Sequence, residues 1–168
     1  MSARLVAAAD RLLRLFDRLG ALLLAALFGL TLAEIAARQI AGVSLSISLE
    51  YQGYLLIASA LLPQGRVLRD GRALAFRLLL DRLPAGPRAA AEIAGRLVAA
   101  AAAAGMAAAL WDLALFSLAT GARSYFPSAT ALFWPQALAA LGASGLALAC
   151  LIGLVGPQPG TRRQEDGA

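Results

Sequence analysis

The sequence predicts an all-α integral membrane protein with four transmembrane helices. Three observations predict it: long apolar runs, too few charges for a water-soluble core, and arginines gathered between and beside those runs. Of the 168 residues, 60% are hydrophobic and 15% charged, against roughly 25% charged in soluble domains, and mean hydropathy is +0.72. A chain of this length ordinarily makes one domain, expected here over residues 1–157, with residues 158–168 as a polar cytoplasmic tail.

The net charge of +5 comes from 15 arginines against 10 acidic residues, with no lysine. Short arginine clusters bordering apolar runs set membrane orientation. They do not make the continuous basic face that nucleic acid requires, so no nucleic-acid partner is expected. Histidine is absent, which removes the commonest general base and metal ligand at neutral pH. Cys150, the single cysteine, lies in an apolar run and reads as a small buried hydrophobe. There is no phosphate-binding glycine loop, serine-nucleophile motif or cysteine pair. No catalytic residue, metal site or cofactor is expected.

The opening stretch sets Arg4, Arg11, Arg14 and Arg18 against Leu5, Leu12, Leu15, Phe16 and Leu19 at helical spacing, an amphipathic lead-in. The apolar run behind it exceeds the roughly 7 to 15 residues of a signal-peptide core and lacks a convincing cleavage site, so both are expected to be retained. The first span is expected over about 19–37, long enough at roughly 1.5 Å per residue to cross a hydrocarbon layer of about 30 Å. Glu34 and Arg38 close it. Four apart on one helical face, they are expected to pair near the interface.

A loop around Gly42 and a serine-rich turn lead to the second span, expected within 45–62, with Glu50, Tyr51 and Tyr54 near its start and Pro63 and Gly65 at its exit. Counting from Tyr51 leaves too few residues to cross, so Glu50 is expected at or below the interface. From Arg66 to Arg96 seven arginines face only Asp70, Asp81 and Glu92, the mark of a cytoplasmic loop. Within it, residues 73–83 alternate leucines with Arg77 and Arg82 before Pro84, as expected of a short interfacial helix.

The third span is expected over 93–119 through the alanine run Ala99 to Ala104, since alanine favours helix and its small side chain lets helices approach. A loop with Arg123, Tyr125, Phe126 and Pro127 comes next, and then the fourth span over 129–155, started or kinked at Pro135. Four arginines precede the first span, seven fill the middle loop and two lie in the tail, against one in each of the other loops. Both termini are therefore expected in the cytoplasm, which requires an even number of spans. No internal repeat of the kind that builds inverted-repeat transporters is visible.

Glu34, Glu50 and Asp112 are acidic residues inside or at the edges of spans, where a carboxylate is costly and marks an ion path, a relay or a partner contact. For Glu50 a structural or subunit contact is the favoured reading, because one carboxylate makes a poor ion site. Asp112, beside Trp111, is expected in the far half of the third span or near its end, with interface placement favoured over a relay. Gly145, Ala149 and Gly153, four apart, form a small-residue stripe suited to close helix contact.

The order of these features resembles the small membrane subunit of tripartite ATP-independent periplasmic (TRAP) transporters. The residues that carry the likeness are the segment EYQGYLLIASALLPQGRVLRDGRALAFRLLLDRLP from Glu50 to Pro84, Arg38 before the loop, and Pro135 followed by Gly142. The resemblance implies a bacterial inner-membrane scaffold with Glu50, Arg38, Arg66 and Arg69 as structural or partner contacts. It also implies a large membrane permease subunit that carries the ion and substrate sites, and a periplasmic substrate-binding protein that delivers an organic acid. The alternative from another class is an independent small multi-span exporter using Glu34 or Asp112 as its coupling carboxylate.

Overall fold

The computed structural model describes residues 3–70 and 84–155. Five helices make up the described chain: α1 (Ala3–Ala41), α2 (Ser48–Leu61), α3 (Gln64–Arg69), α4 (Ala85–Thr120) and α5 (Phe133–Val155). The interfacial helix expected over residues 73–83 and the tail over 158–168 lie outside the described residues.

Among the described residues, three helices are long and apolar enough to cross a membrane: Arg4–Ala41, Ala90–Thr120 and Phe133–Leu154. The amphipathic lead-in runs without a break into the first span, giving a single helix of 39 residues, about 58 Å long. Helix α2 has 14 residues, or about 21 Å, and is too short to cross alone. It stops where the sequence says it must: Pro63 lacks an N–H and breaks the ladder. Leu62 and Pro63 nevertheless keep right-handed helical angles, and α3 resumes directly behind them.

Helix α4 starts earlier than hydropathy alone places it, at Ala85 behind the extended Pro84. Its first turns are polar and are carried by Glu92, which meets Arg88 at 3.5 Å and Arg96 at 3.8 Å. It ends on Gly121, at φ +63, where Ala122 N–H donates to Ser117 O and Gly121 N–H to Leu118 O. This paired closure uses glycine's access to left-handed backbone. Helix α5 begins at Phe133, four residues later than expected. Pro135 falls in its first turn, where the missing N–H costs nothing, so the proline starts the helix and does not kink it.

Helix α5 is the hub, touching α1, α2, α3 and α4. Its partners come close because the residues between them are small. A Cβ on Gly65 would stand 2.5 Å from Gly145 O, and one on Gly142 would stand 2.8 Å from the Leu61 carbonyl carbon. Opposite, Ala100 and Ala103 of α4 meet Ala147 and Cys150 of α5 in a buried cluster. Helix α1 turns Leu13, Phe16 and Gly20 inward, with Leu13 fully buried and Phe16 lying against Gly145.

Candidate functional site

Polar residues of the bundle collect in three places, two of them held by elements far apart in the chain and one by α1 and the turn that follows it. The first lies where α2 begins. Glu50 sits in the first turn of α2, placed there by the turn at Ser46 and Ile47. Tyr54, one helical turn on, donates to Glu50 Oε1 at 2.7 Å, and Ser128 of the α4–α5 loop donates to Oε2. Thr130 Oγ1 donates to Ser128 Oγ at 2.9 Å and lies 3.1 Å from the Tyr51 hydroxyl. Glu50, only 5% exposed, thus has both oxygens occupied and ties α2 to the loop. That loop is tightly folded: Arg123 pairs with Ala131 in an isolated bridge, and Ala129 sits at φ 45, a strained value for a residue with a Cβ.

The second knot joins α1 to the turn behind it. Glu34 Oε1 accepts from Arg38 and from Ser44 Oγ, each at 2.8 Å, and Oε2 accepts from Leu45 N–H at 2.9 Å. The expected Glu34–Arg38 pair is present, and it does more than satisfy two charges, since it fixes the loop that aims α2. A cleft of about 300 Å³ opens beside it, lined by Glu34, Arg38, Ser46, Gln52 and Phe126 among others. The carboxylate of Glu34, which lines this cleft, has its charge paired with Arg38.

The third is an ion pair at the opposite end of α2–α3. Arg69 reaches across to α1, its Nε 3.0 Å from Asp10 Oδ1 and its Nη2 3.2 Å from Oδ2. This fork-to-fork geometry is the strong arrangement for arginine and carboxylate. The Arg69 side chain is 5% exposed and that of Asp10 22%. Arg66 pairs with Asp70 at 2.9 Å within its own turn.

Gly145, Ala149 and Gly153 all lie buried on α5, with Gly145 against Gly65 and Phe16. Gly142 makes an equally close approach that the spacing argument did not include. Asp112 differs from every other acidic residue discussed. It is exposed on α4 and makes no hydrogen bond or ion pair among the described residues. Its neighbour Trp111 turns inward instead, donating from Nε1 to Ser144 Oγ at 3.0 Å. Charged side chains at the centre of a bilayer cost roughly 2.5–3.5 kcal/mol on insertion scales and ordinarily find a partner.

Sequence reasoning singled out Glu50 and Arg69 but missed their distant partners, Ser128 and Asp10. Tyr54 was within reach, standing four residues from Glu50. Among the described residues no group of histidine, cysteine, aspartate or glutamate could hold a metal.

This arrangement defines a class: a small helical membrane protein whose polar groups brace its own helices and whose long apolar faces are left for other hydrophobic surroundings. The description "Tripartite ATP-independent periplasmic transporters, DctQ component" names the family that matches residues 27–158. The chain belongs to that family, as the small membrane component of such transporters, and the family is one of transporter components, not of enzymes. A comparison with curated proteins gives no match.

Proposed function

We propose that this chain braces a large membrane subunit of a secondary transporter. That subunit imports an organic acid, handed over by a periplasmic binding protein, at the expense of an ion gradient. The observation that carries the reading is the state of Glu34 and Glu50. Every carboxylate oxygen of the two accepts from at least one donor of the same chain, which ties the helices and loops together. Alternating access needs a binding site between moving halves, and polar groups locked in this way serve a rigid support.

In this reading the chain crosses the bacterial inner membrane four times, with α2 and α3 forming one crossing bent at Pro63. Ser48 to Arg69 covers about 33 Å at helical rise, sufficient for the hydrocarbon layer. Arginine bias places both termini and the stretch between α3 and α4 in the cytoplasm. The Glu50 and Glu34 knots then lie on the periplasmic side, and the Arg69–Asp10 pair lies on the cytoplasmic side.

Two preparations test the proposal. The chain alone in proteoliposomes is expected to move no organic acid under any imposed sodium or proton gradient. Deleting it from cells that keep the large subunit and binding protein is expected to abolish uptake. Ion-driven flux by the chain alone would overturn the bracing role in favour of an independent carrier.

A further inference from the structure

The arginines of this chain divide into those that have an acceptor and those that do not. Ten lie among the described residues. Arg38, Arg66, Arg69, Arg88 and Arg96 each meet a carboxylate of the chain, and Arg123 donates to the Ala129 carbonyl. Arg4, Arg11, Arg14 and Arg18 are exposed and make no hydrogen bond or ion pair among the described residues. Spacings of seven, three and four set these four on one face of α1. Leu13, which α1 buries, and Asp10, which reaches Arg69, lie off that face. Asp17 stands seven residues from Asp10, on the same side of the helix as that residue, and makes no ion pair among the described residues.

The rest of the chain has no surplus acid to offer this stripe. Residues 71–83 hold three arginines against Asp81, and residues 156–168 hold two against Glu165 and Asp166. Position along α1 says what does meet it. From the Glu34 knot to Asp10 the helix runs about 36 Å, slightly more than a hydrocarbon layer of roughly 30 Å. With Glu34 on the periplasmic side, Arg11, Arg14 and Arg18 fall within the last turns at the cytoplasmic boundary, and Arg4 stands beyond it. Basic side chains at that boundary extend their charged heads to the headgroup layer, where the cytoplasmic leaflet carries anionic lipid. The same face then turns apolar: Leu15 and Leu22 follow Arg11 and Arg18 at a spacing of four, and both are exposed. A soluble anion would use only the arginines. A phospholipid uses both parts, with its phosphate on the guanidinium groups and its acyl chain along the leucines.

We propose that the Arg11–Arg14–Arg18 face of α1, with Leu15 and Leu22 beside it, is a binding site for an anionic phospholipid of the cytoplasmic leaflet. The placement of α1 in the membrane rests on the reading given above. The site adds a ligand to that reading: the arginines hold the headgroup phosphate, and the lipid anchors the amphipathic end of α1 on the side of the helix that the Arg69–Asp10 pair does not reach.

The test titrates the full chain, purified in detergent and stripped of lipid, with dioleoyl phosphatidylglycerol or dioleoyl phosphatidylcholine, and counts bound lipid by native mass spectrometry. The two lipids share their acyl chains and differ in net charge. Phosphatidylglycerol is expected to bind more tightly, by about fivefold for each arginine engaged. Arg14→Gln should weaken its binding by about that factor, and the triple variant Arg11→Gln, Arg14→Gln, Arg18→Gln should lose the preference. Arg66→Gln removes the same charge from an arginine already paired with Asp70 and should leave the preference intact. Equal binding of the two lipids by the unaltered chain would overturn the proposal, and that comparison stands even where a variant does not fold. An effect of Arg66→Gln as large as that of Arg14→Gln would overturn it in favour of net charge, and displacement of the lipid by glycerol 3-phosphate would overturn it in favour of a soluble anion. The sample contains no large subunit, so these results leave the bracing role standing, and ion-driven flux by the chain alone would remove the bracing role without touching the lipid site.

Discussion

Helices α1 and α5 have the same hydropathy over their apolar windows, 2.1 in each, yet 6% of the α1 window is buried within the chain against 50% for α5. Hydropathy therefore tells which segments leave water and says nothing about what they meet. What separates the two is which residues meet other helices. Helix α5 is built around Ala139, Ala140, Gly142, Ala143, Gly145, Ala147 and Ala149, which let α2, α3 and α4 close on it, whereas α1 carries leucines and phenylalanine outward. Where lipid tails are as apolar as leucine, close packing and a few polar locks hold helices together, not the exclusion of water.

The contrast can be broken at the locks first. Arg69→Ala should have the largest effect, since it leaves Asp10 without its partner in a half-buried setting. About 3–5 kcal/mol is the usual cost of removing one member of a buried pair. Thermal unfolding of the purified chain in detergent measures it, and the double variant Arg69→Leu with Asp10→Leu should recover much of the loss.

Next come the close approaches. Gly142→Leu or Gly65→Leu must push α2–α3 away from α5, an overpacking cost of roughly 1–3 kcal/mol, read by the same melting experiment. Glu50→Gln should loosen the tie between α2 and the α4–α5 loop. It should lower the melting temperature and weaken complex assembly without altering the ion dependence of uptake in the complex that remains. A changed ion stoichiometry with intact assembly would refute the bracing role of Glu50.

Smaller still is Trp111→Phe. It removes one interhelical hydrogen bond, and such bonds average about 0.6 kcal/mol inside membranes. The smallest effect is expected on α1, where Leu22→Ala and Ile35→Ala, both on the exposed face, should change the stability of the isolated chain by less than about 0.5 kcal/mol. A large loss at these positions would mean that the exposed face of α1 packs within the chain after all, and the contrast between the two helices would fall.

Much of the bundle was legible because its signals are local. The three long helices arise from apolar runs and the Glu34–Arg38 pair from a spacing of four, while the starts of α4 at Ala85 and α5 at Phe133 differ from the expected 93 and 129. The second expected span was harder to read, since α2 holds only 14 residues and Pro63 separates it from α3. The polar locks were half legible. Glu50 stood out as a charge beside an apolar stretch and Arg69 through the family resemblance, but Ser128 lies 78 residues from Glu50 and Asp10 lies 59 from Arg69. A single sequence contains nothing that sets one loop in register with another. Asp10 did carry a signal, three residues before Leu13 and so one turn away on the inward stripe of α1, where a charge is an anomaly that calls for a partner. Trp111 turns inward to Ser144 at the middle of α5, a contact no local pattern announces.

The central claim, that the uncovered helix faces are completed by a larger membrane partner, is tested most directly by extracting the tagged chain from its native membrane in mild detergent and weighing what comes out by native mass spectrometry. The account predicts a stoichiometric complex with one large multi-span subunit. A lone chain, or an assembly of this chain with itself, persisting across several detergents would contradict it.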